Sequence, residues 1–306
     1  MKTLISIVGP TAVGKTSLSV FLARVFDTEI LSCDSRQFYK ELRIGTAMPS
    51  AAELDTAPHH FVGHLSVHQL YTAGDFEKDA LQKLRELFSR FDMVVMVGGS
   101  GLYERAVTEG LDDFPEVSSA IREGWVSLLK EKGLTFLQET LRHRDLSYYQ
   151  SVDLHNPHRL IRALTVIETT GRPFSSFRKK SLAPRNFRLV RIGLTLPRDQ
   201  IYRGIDRRVD EMMERGLLQE AEQWYSYKNL NALQTIGYRE LFQYIEREFT
   251  LSEAVGEIKK NTRCYAKHQL TWYRRDASLT WFSVEDREGI LDFVRKVLDV
   301  ETGGHR

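Results

Sequence analysis

Short, nearly unbroken apolar runs alternate with amphipathic stretches over the first third of the chain. Thr3–Val8 is largely apolar and β-branched, the pattern of a buried strand. Leu18, Phe21, Leu22 and Val25 follow at helical spacing. Residues 29–33 predict a second strand with Asp34 at its tip, and Met93–Val97 predicts a third. Between them Asp75 is expected to cap a helix whose apolar face carries Phe76, Ala80, Leu84, Leu87 and Phe88. Strands alternating with helices predict an α/β fold: a parallel sheet flanked by helices, with its site at the carboxyl ends of the strands.

The pattern changes after about residue 112. From there to about 187 the periodicity is mostly helical, broken at Gly133, Pro157 and Gly171-Arg172-Pro173. This stretch reads as an inserted, mostly helical subdomain. Residues 188–196 are strand-like again and are expected to rejoin the sheet, with helices filling the rest. The expected organisation is therefore a core over 1–112, an insertion over 113–187, and the remainder of the core with a helical C-terminal region over 188–306.

Charge changes this picture more than composition does. The net charge over 306 residues is only +2. Residues 141–191, however, hold 11 Lys/Arg against 3 Asp/Glu, whereas residues 1–110 hold 11 against 13. A local positive field of that size can attract a polyanion, although a solvated helical surface would read the same way. Two distant cysteines, Cys33 and Cys264, do not make a disulfide framework. No run approaches membrane-spanning length and no leader precedes the first strand, so a soluble protein of the reducing cytosol is expected.

The candidate chemistry starts at Gly9-Pro10-Thr11-Ala12-Val13-Gly14-Lys15-Thr16, a full phosphate-loop pattern between a strand and a helix. Its glycines let backbone N–H groups curl around phosphate oxygens, and the helix N-terminus adds its positive end. Lys15 supplies a point charge, and the Thr16 hydroxyl can hold Mg²⁺. A nucleotide-hydrolysing enzyme would add an acid at a strand end, but the third strand runs into Val97-Gly98-Gly99. The acid beside the loop is Asp34, which could organise Mg²⁺, accept a proton, or cap a helix. Gly98-Gly99-Ser100-Gly101 is a second glycine-rich turn, expected at the same crevice.

Residues 253–275 form a long helical pattern. Val255, Ile258, Thr262, Ala266, Gln269 and Trp272 share one side, with Lys259, Arg263, Lys267 and Arg274 beside it. Cations interleaved with Tyr265, Trp272 and Tyr273 suit single-stranded or loop RNA; a core helix with a solvated basic edge is the alternative.

Together these pieces closely resemble one family, the tRNA dimethylallyltransferases (tRNA isopentenyltransferases), in their bacterial form. The resemblance runs from Gly9 to about Arg275. Beyond the phosphate loop it rests on Asp34-Ser35-Arg36-Gln37, Ile44-Gly45-Thr46-Ala47, His59-His60, Tyr71 with Asp75-Phe76, and Gly98-Gly99-Ser100-Gly101-Leu102-Tyr103. It continues through Asn156-Pro157-His158-Arg159-Leu160-Ile161-Arg162, Ile236-Gly237-Tyr238-Arg239-Glu240, and Thr262-Arg263 with Ala266-Lys267-His268-Gln269 and Thr271-Trp272. The resemblance implies transfer of a dimethylallyl group from dimethylallyl diphosphate to N6 of the adenosine 3′ of a tRNA anticodon, assisted by Mg²⁺. It implies that residues 9–16 hold the diphosphate, that Thr16 meets the metal, and that Arg208 reaches the diphosphate from the second half. Asp34 would take the N6 proton or hold the amine in line, and Ser100, where the family usually has Thr, would bond the leaving group.

The implied tRNA contacts are Asp34, Ser35, Arg36, Gln37, Ser100 and Arg122 in the first half. His158, Arg159, Leu160, Ile161 and Arg162 follow in the insertion. Gln234, Gly237, Tyr238, Arg239, Arg263, Lys267, His268, Gln269 and Arg274 complete the set. The insertion and the C-terminal helix would grip the anticodon stem-loop, and a monomer would suffice. Gly204 and His268 stand where many members have Arg. A small-molecule kinase on the same scaffold would leave residues 141–191 and 258–275 unexplained. An adenylate isopentenyltransferase would not need the basic second half, and an RNA-binding module without catalysis would not need Lys15, Thr16 and Asp34.

Overall fold

All six strands of the computed structural model, which describes residues 1–178 and 184–299, lie in one parallel sheet. In chain order β1 (Thr3–Val8) leads to α1 (Lys15–Val25), β2 (Ile30–Ser32), α2 (Ala51–Thr56), β3 (His59–His60), α3 (Ala73–Arg90), β4 (Met93–Val97) and α4 (Gly101–Thr108). Then come α5 (Ser119–Arg144), α6 (Leu146–Tyr149) and α7 (Pro157–Thr170). The chain returns through β5 (Arg188–Thr195), α8 (Arg198–Glu214), α9 (Leu217–Trp224), α10 (Tyr238–Ile245), α11 (Leu251–Tyr273), β6 (Thr280–Ser283) and α12 (Arg287–Asp299). The strand order is β3-β2-β4-β1-β5-β6.

The central strands read as unbroken apolar runs because both faces of the sheet are covered. Leu4, Leu31, Val94 and Met96 face a core shared with α3, α8, α10 and α11. Ile5, Ile7, Ile30, Val95, Val97 and Ile192 face a second core with α1 and α12. One polar group interrupts the first face. Glu104 of α4 accepts from Ser6 Oγ at 3.0 Å and from Arg191 Nη2 at 3.0 and 2.9 Å. Burial pushes the Glu104 carboxyl up, against the downward pull of the Arg191 guanidinium.

Three expectations change. The sheet gains β3 and β6, edge strands of 2 and 4 residues that are too short to show a period. Asp75 is not the N-cap of α3. Thr72 is, and Asp75 sits three residues on, completing a capping box by accepting from Thr72 N–H at 2.9 Å. Val25, placed on the apolar face of α1, is exposed.

The described residues divide into two compact units, those within Met1–Glu109 and Pro184–Arg306, and those within Gly110–Ala183. The helical periodicity alone sets the limits at 113 and 187; residues 111–118 have no regular structure, so the sequence pattern gives no sharper edge there. In the second unit α5 breaks at Gly133 (φ 77°, ψ 178°) and packs on α7 around Trp125, Leu137, Leu141, Leu160 and Leu164. Asn156 caps α7 through a 3.2 Å bond from Arg159 N–H, with Pro157 in the first turn and Gly171 closing the helix at φ 67°.

Register sets the site. Ile7 and Ser32 both pair with Val97, so β1, β2 and β4 end level with one another. The phosphate loop, Asp34 and the Gly98 turn therefore leave the sheet along one edge.

Candidate active site

The phosphate loop has the backbone its glycines allow. Gly9 and Gly14 adopt φ 147° and 97°, and Ala12 is forced to φ 63°, a conformation that costs a non-glycine residue about 1 kcal/mol. No side chain caps α1 and no acid sits in its first turn, so its N-terminal N–H groups face the cleft unopposed. Lys15 Nζ donates to Gly9 O at 3.1 Å and Pro10 O at 2.7 Å. Arg208, on α8, donates from Nη1 to Thr11 Oγ1 at 3.3 Å. The two cations expected at the diphosphate thus meet at one loop.

Asp34 lines the same cleft, close enough to act on the charge of both Lys15 and Arg208. It starts a turn, not a helix: its Oδ1 accepts from Arg36 N–H at 3.1 Å, and Gln37 N–H bonds its carbonyl at 3.0 Å. The capping alternative for Asp34 therefore has no helix to cap. Ser100 Oγ accepts from Ser35 N–H at 3.1 Å and lies 3.0 Å from Ser35 Oγ, which ties the second glycine turn to the Asp34 turn. Lys15, Thr16, Asp34, Ser100 and Arg208 all line one cleft of about 820 Å³, together with Arg36, Gln37, Gln234 and Arg239. Its apolar wall includes Met48, Val209, Met212 and Ile236.

Proximity of these charges shows in their protonation. Burial pushes the Lys15 ammonium down to about 8, Asp34 pulls it back up, and Arg208 pushes it down again. Burial also lowers Arg208, opposed by Asp34. The Tyr265 phenol at the cleft wall is pushed up to about 12, first by burial and then by the Asp34 carboxylate. Among the described residues no three of His, Cys, Asp or Glu gather as a metal site.

Several expected RNA contacts lie elsewhere. Leu160 and Ile161 belong to the core of the second unit, whereas His158, Arg159 and Arg162 on the same helix are exposed, as is Arg122. Tyr238 is wholly buried and donates to Glu220 Oε1 at 2.6 Å, with Gly45 directly against its ring. Gly237 is buried too, its N–H bonded to Glu240 at 2.8 Å, but it does line the cleft. On α11 the basic stripe is half internal: Lys259 pairs with Asp210 at 2.6 Å and Arg263 with Asp206 at 2.5 Å, both acids on α8. Lys267, His268 and Arg274 are exposed. Trp272, expected on the apolar side, is exposed, and Tyr273 is buried in its place. Gln269 is buried, as that face required, and lines the cleft.

One residue had no sequence signal. Glu220, on α9, accepts the N–H groups of Arg43, Ile44 and Gly45 at 2.9–3.2 Å. Gln37 holds the far side of the same turn by donating to Thr46 O and Ala47 O at 3.4 and 3.0 Å.

The IPP transferase family model matches residues 37–276. The tRNA dimethylallyltransferase of Christiangramia forsetii is 51% identical over 297 residues, 97% of this chain and 98% of that protein. That of Flavobacterium psychrophilum is 48% identical over 96% and 98% of the two chains. The crystal structure of the tRNA isopentenylpyrophosphate transferase of Bacillus halodurans superposes with a TM-score of 0.73 at 35% identity, covering 99% and 98% of the two chains. A eukaryotic dimethylallyltransferase acting on tRNA superposes at 0.76 and 25% identity, over 92% of this chain and 74% of that one. With a family model spanning most of its length and relatives this close along nearly all of it, the chain belongs to the IPP transferase family, that of the tRNA dimethylallyltransferases.

Proposed function

We propose that this cleft transfers a dimethylallyl group from dimethylallyl diphosphate to N6 of the adenosine 3′ of a tRNA anticodon, releasing diphosphate. The observation that carries the reading is one cleft lined by both the phosphate loop and a carboxylate, Asp34. The allylic C1–O bond breaks with its electron pair going to the diphosphate, and the N6–C1 bond forms. The proton lost from N6 passes to Asp34. Lys15, Arg208 and the loop amides stabilise the charge that grows on the leaving group. Ser100, held by Ser35 at the Asp34 turn, bonds the bridging oxygen of the leaving group.

The donor set fits a metal carried on the substrate. Thr16 and Asp34 both line the cleft, and no all-protein cage exists among the described residues. Mg²⁺ held there by the Thr16 hydroxyl and diphosphate oxygens would neutralise the leaving group. The exposed cations Arg122, Arg159, Arg162, Lys267 and Arg274 are the phosphate contacts for tRNA, and the target base leaves its stack to enter the cleft.

The test is incubation with labelled dimethylallyl diphosphate and an anticodon stem-loop, with and without Mg²⁺. Label should enter the stem-loop only with the metal, and free AMP should not compete. Asp34→Ala should keep stem-loop affinity while single-turnover prenylation drops about 10²- to 10⁴-fold. A near-normal rate in that variant removes Asp34 from the mechanism.

A further inference from the structure

Helix α11 lines the cleft with Ile258, Thr262, Tyr265 and Gln269, and of these Gln269 bonds both glycine-rich turns. Gln269 is 6% exposed. Its Oε1 accepts from Thr11 N–H at 2.8 Å, and its Nε2 donates to Gly99 O at 2.8 Å. It therefore bonds the phosphate loop on one side and the turn that carries Ser100 on the other. A carboxamide can do this because it accepts and donates from one uncharged planar group. A carboxylate could not donate, and an apolar side chain would leave an N–H and a carbonyl unsatisfied.

The seat is shaped for this residue. A Cβ on Gly99 would fall 2.3 Å from Gln269 Nε2, and one on Gly101 would fall 2.2 Å from Trp272 Nε1, one turn further along α11. The groups that Gln269 fixes lead straight to the chemistry. Thr11 also receives Arg208, and Gly99 precedes Ser100, which holds the Asp34 turn.

We propose that Gln269 is a positioning residue of the transfer reaction and not an RNA contact. It sets the distance between the diphosphate cradle and the Asp34–Ser100 wall, so its loss is felt by the allylic diphosphate and not by RNA. The inference rests on the prenyl-transfer reading of the cleft. A displacement of about 1 Å in such an alignment costs on the order of 10²-fold in rate.

The experiment uses Gln269→Met, which keeps the length and removes both bonds. Binding of Mg²⁺-pyrophosphate, stem-loop affinity and steady-state prenylation are measured separately. Expected are a fall of about 30-fold or more in kcat/KM for dimethylallyl diphosphate and weakened pyrophosphate binding, with stem-loop affinity within about twofold. Unchanged pyrophosphate binding and kinetics would overturn the proposal. So would a loss confined to stem-loop affinity, which would return Gln269 to the RNA surface. A second measurement guards against a misfolded variant. Gly99→Ala should cost kcat/KM in the native background and cost less once Gln269→Ala has cleared the collision. Strictly additive effects would show that the two residues do not touch and would also overturn it. A native protein that neither binds pyrophosphate nor labels a stem-loop refutes the prenyl-transfer reading itself, and does so without any substitution.

Discussion

Two glycine-rich turns leave adjacent strands of the sheet, and their glycines serve opposite ends. In the phosphate loop Gly9 and Gly14 adopt positive φ, which bends the backbone into a hollow lined by N–H groups. In the turn after β4, none of Gly98, Gly99 and Gly101 adopts positive φ. Each is small because a neighbour fills the space: Cys33 against Gly98, Gln269 against Gly99 and Trp272 against Gly101. One turn is built to receive a ligand, and the other to receive a helix. A glycine run at a strand end is thus no sign of phosphate binding until its backbone angles and neighbours are known.

The comparison breaks most decisively at Lys15. Only the first turn carries a cation, so Lys15→Met should lower single-turnover prenylation about 10³-fold while stem-loop affinity holds. A loss below tenfold would remove the cradle role.

The glycines themselves separate the two turns. Gly14→Ala meets both a φ of 97° and the Val284 side chain at 2.9 Å. Its cost of about 1–3 kcal/mol in urea unfolding should persist when Val284→Ala clears the space, because the backbone strain remains. Gly101→Ala has no positive φ to strain and meets Trp272 first, at 2.2 Å, so Trp272→Ala should recover most of its cost, giving a coupling of about 0.5–3 kcal/mol. Equal recovery at both turns would erase the distinction.

A smaller effect follows from pH. The Lys15 ammonium, pushed down to about 8 by burial, must be protonated to attract an anion. Pyrophosphate binding should therefore weaken as pH rises through 8 and should take up a proton above it, as calorimetry in two buffers would show. Lys15→Arg should abolish the step. The sign for stability is opposite. Between about 8 and 10.5 the unfolded chain holds this proton and the folded one does not, so Lys15 adds to stability as pH rises through that window.

The smallest expected effects sharpen the two sides of α11. Lys267→Ala, Arg274→Ala, Arg159→Ala and Arg162→Ala should each lower the salt slope of stem-loop binding by about one. Lys259→Ala and Arg263→Ala, whose cations pair with Asp210 and Asp206, should leave the slope unchanged.

Much of this was legible beforehand. The phosphate loop, the strand that ends at Asp34 and the return of residues 188–196 to the sheet are set by short local patterns. Unbroken apolar runs mark strands buried on both faces, and a glycine-bounded turn before a helix marks an anion site. The helix boundaries at Pro157 and Gly171 were legible for the same reason. The start of α3 was read about one turn too late because Thr72 and Asp75 form a reciprocal box in which either could be taken for the cap. The strands β3 and β6 were not legible because 2 and 4 residues carry no period.

What the sequence by itself determined is the chemistry that local backbone can hold: a phosphate-loop pattern after one strand, an acid at the tip of another, and a cluster of basic residues. What only the tertiary structure decided is which groups an inward polar side chain on one helix bonds. Lys267, His268 and Gln269 are consecutive, each about 100° around α11 from the last, and all three are polar or charged. Helical spacing puts Gln269 on the apolar side and Lys267 beside it, but does not reveal what Gln269 meets there. The third turns inward because the phosphate loop and the Gly99 turn present an unpaired N–H and C=O at the one spot where a carboxamide meets both. Those two groups lie 258 and 170 residues from Gln269, a distance that only the packed sheet brings together.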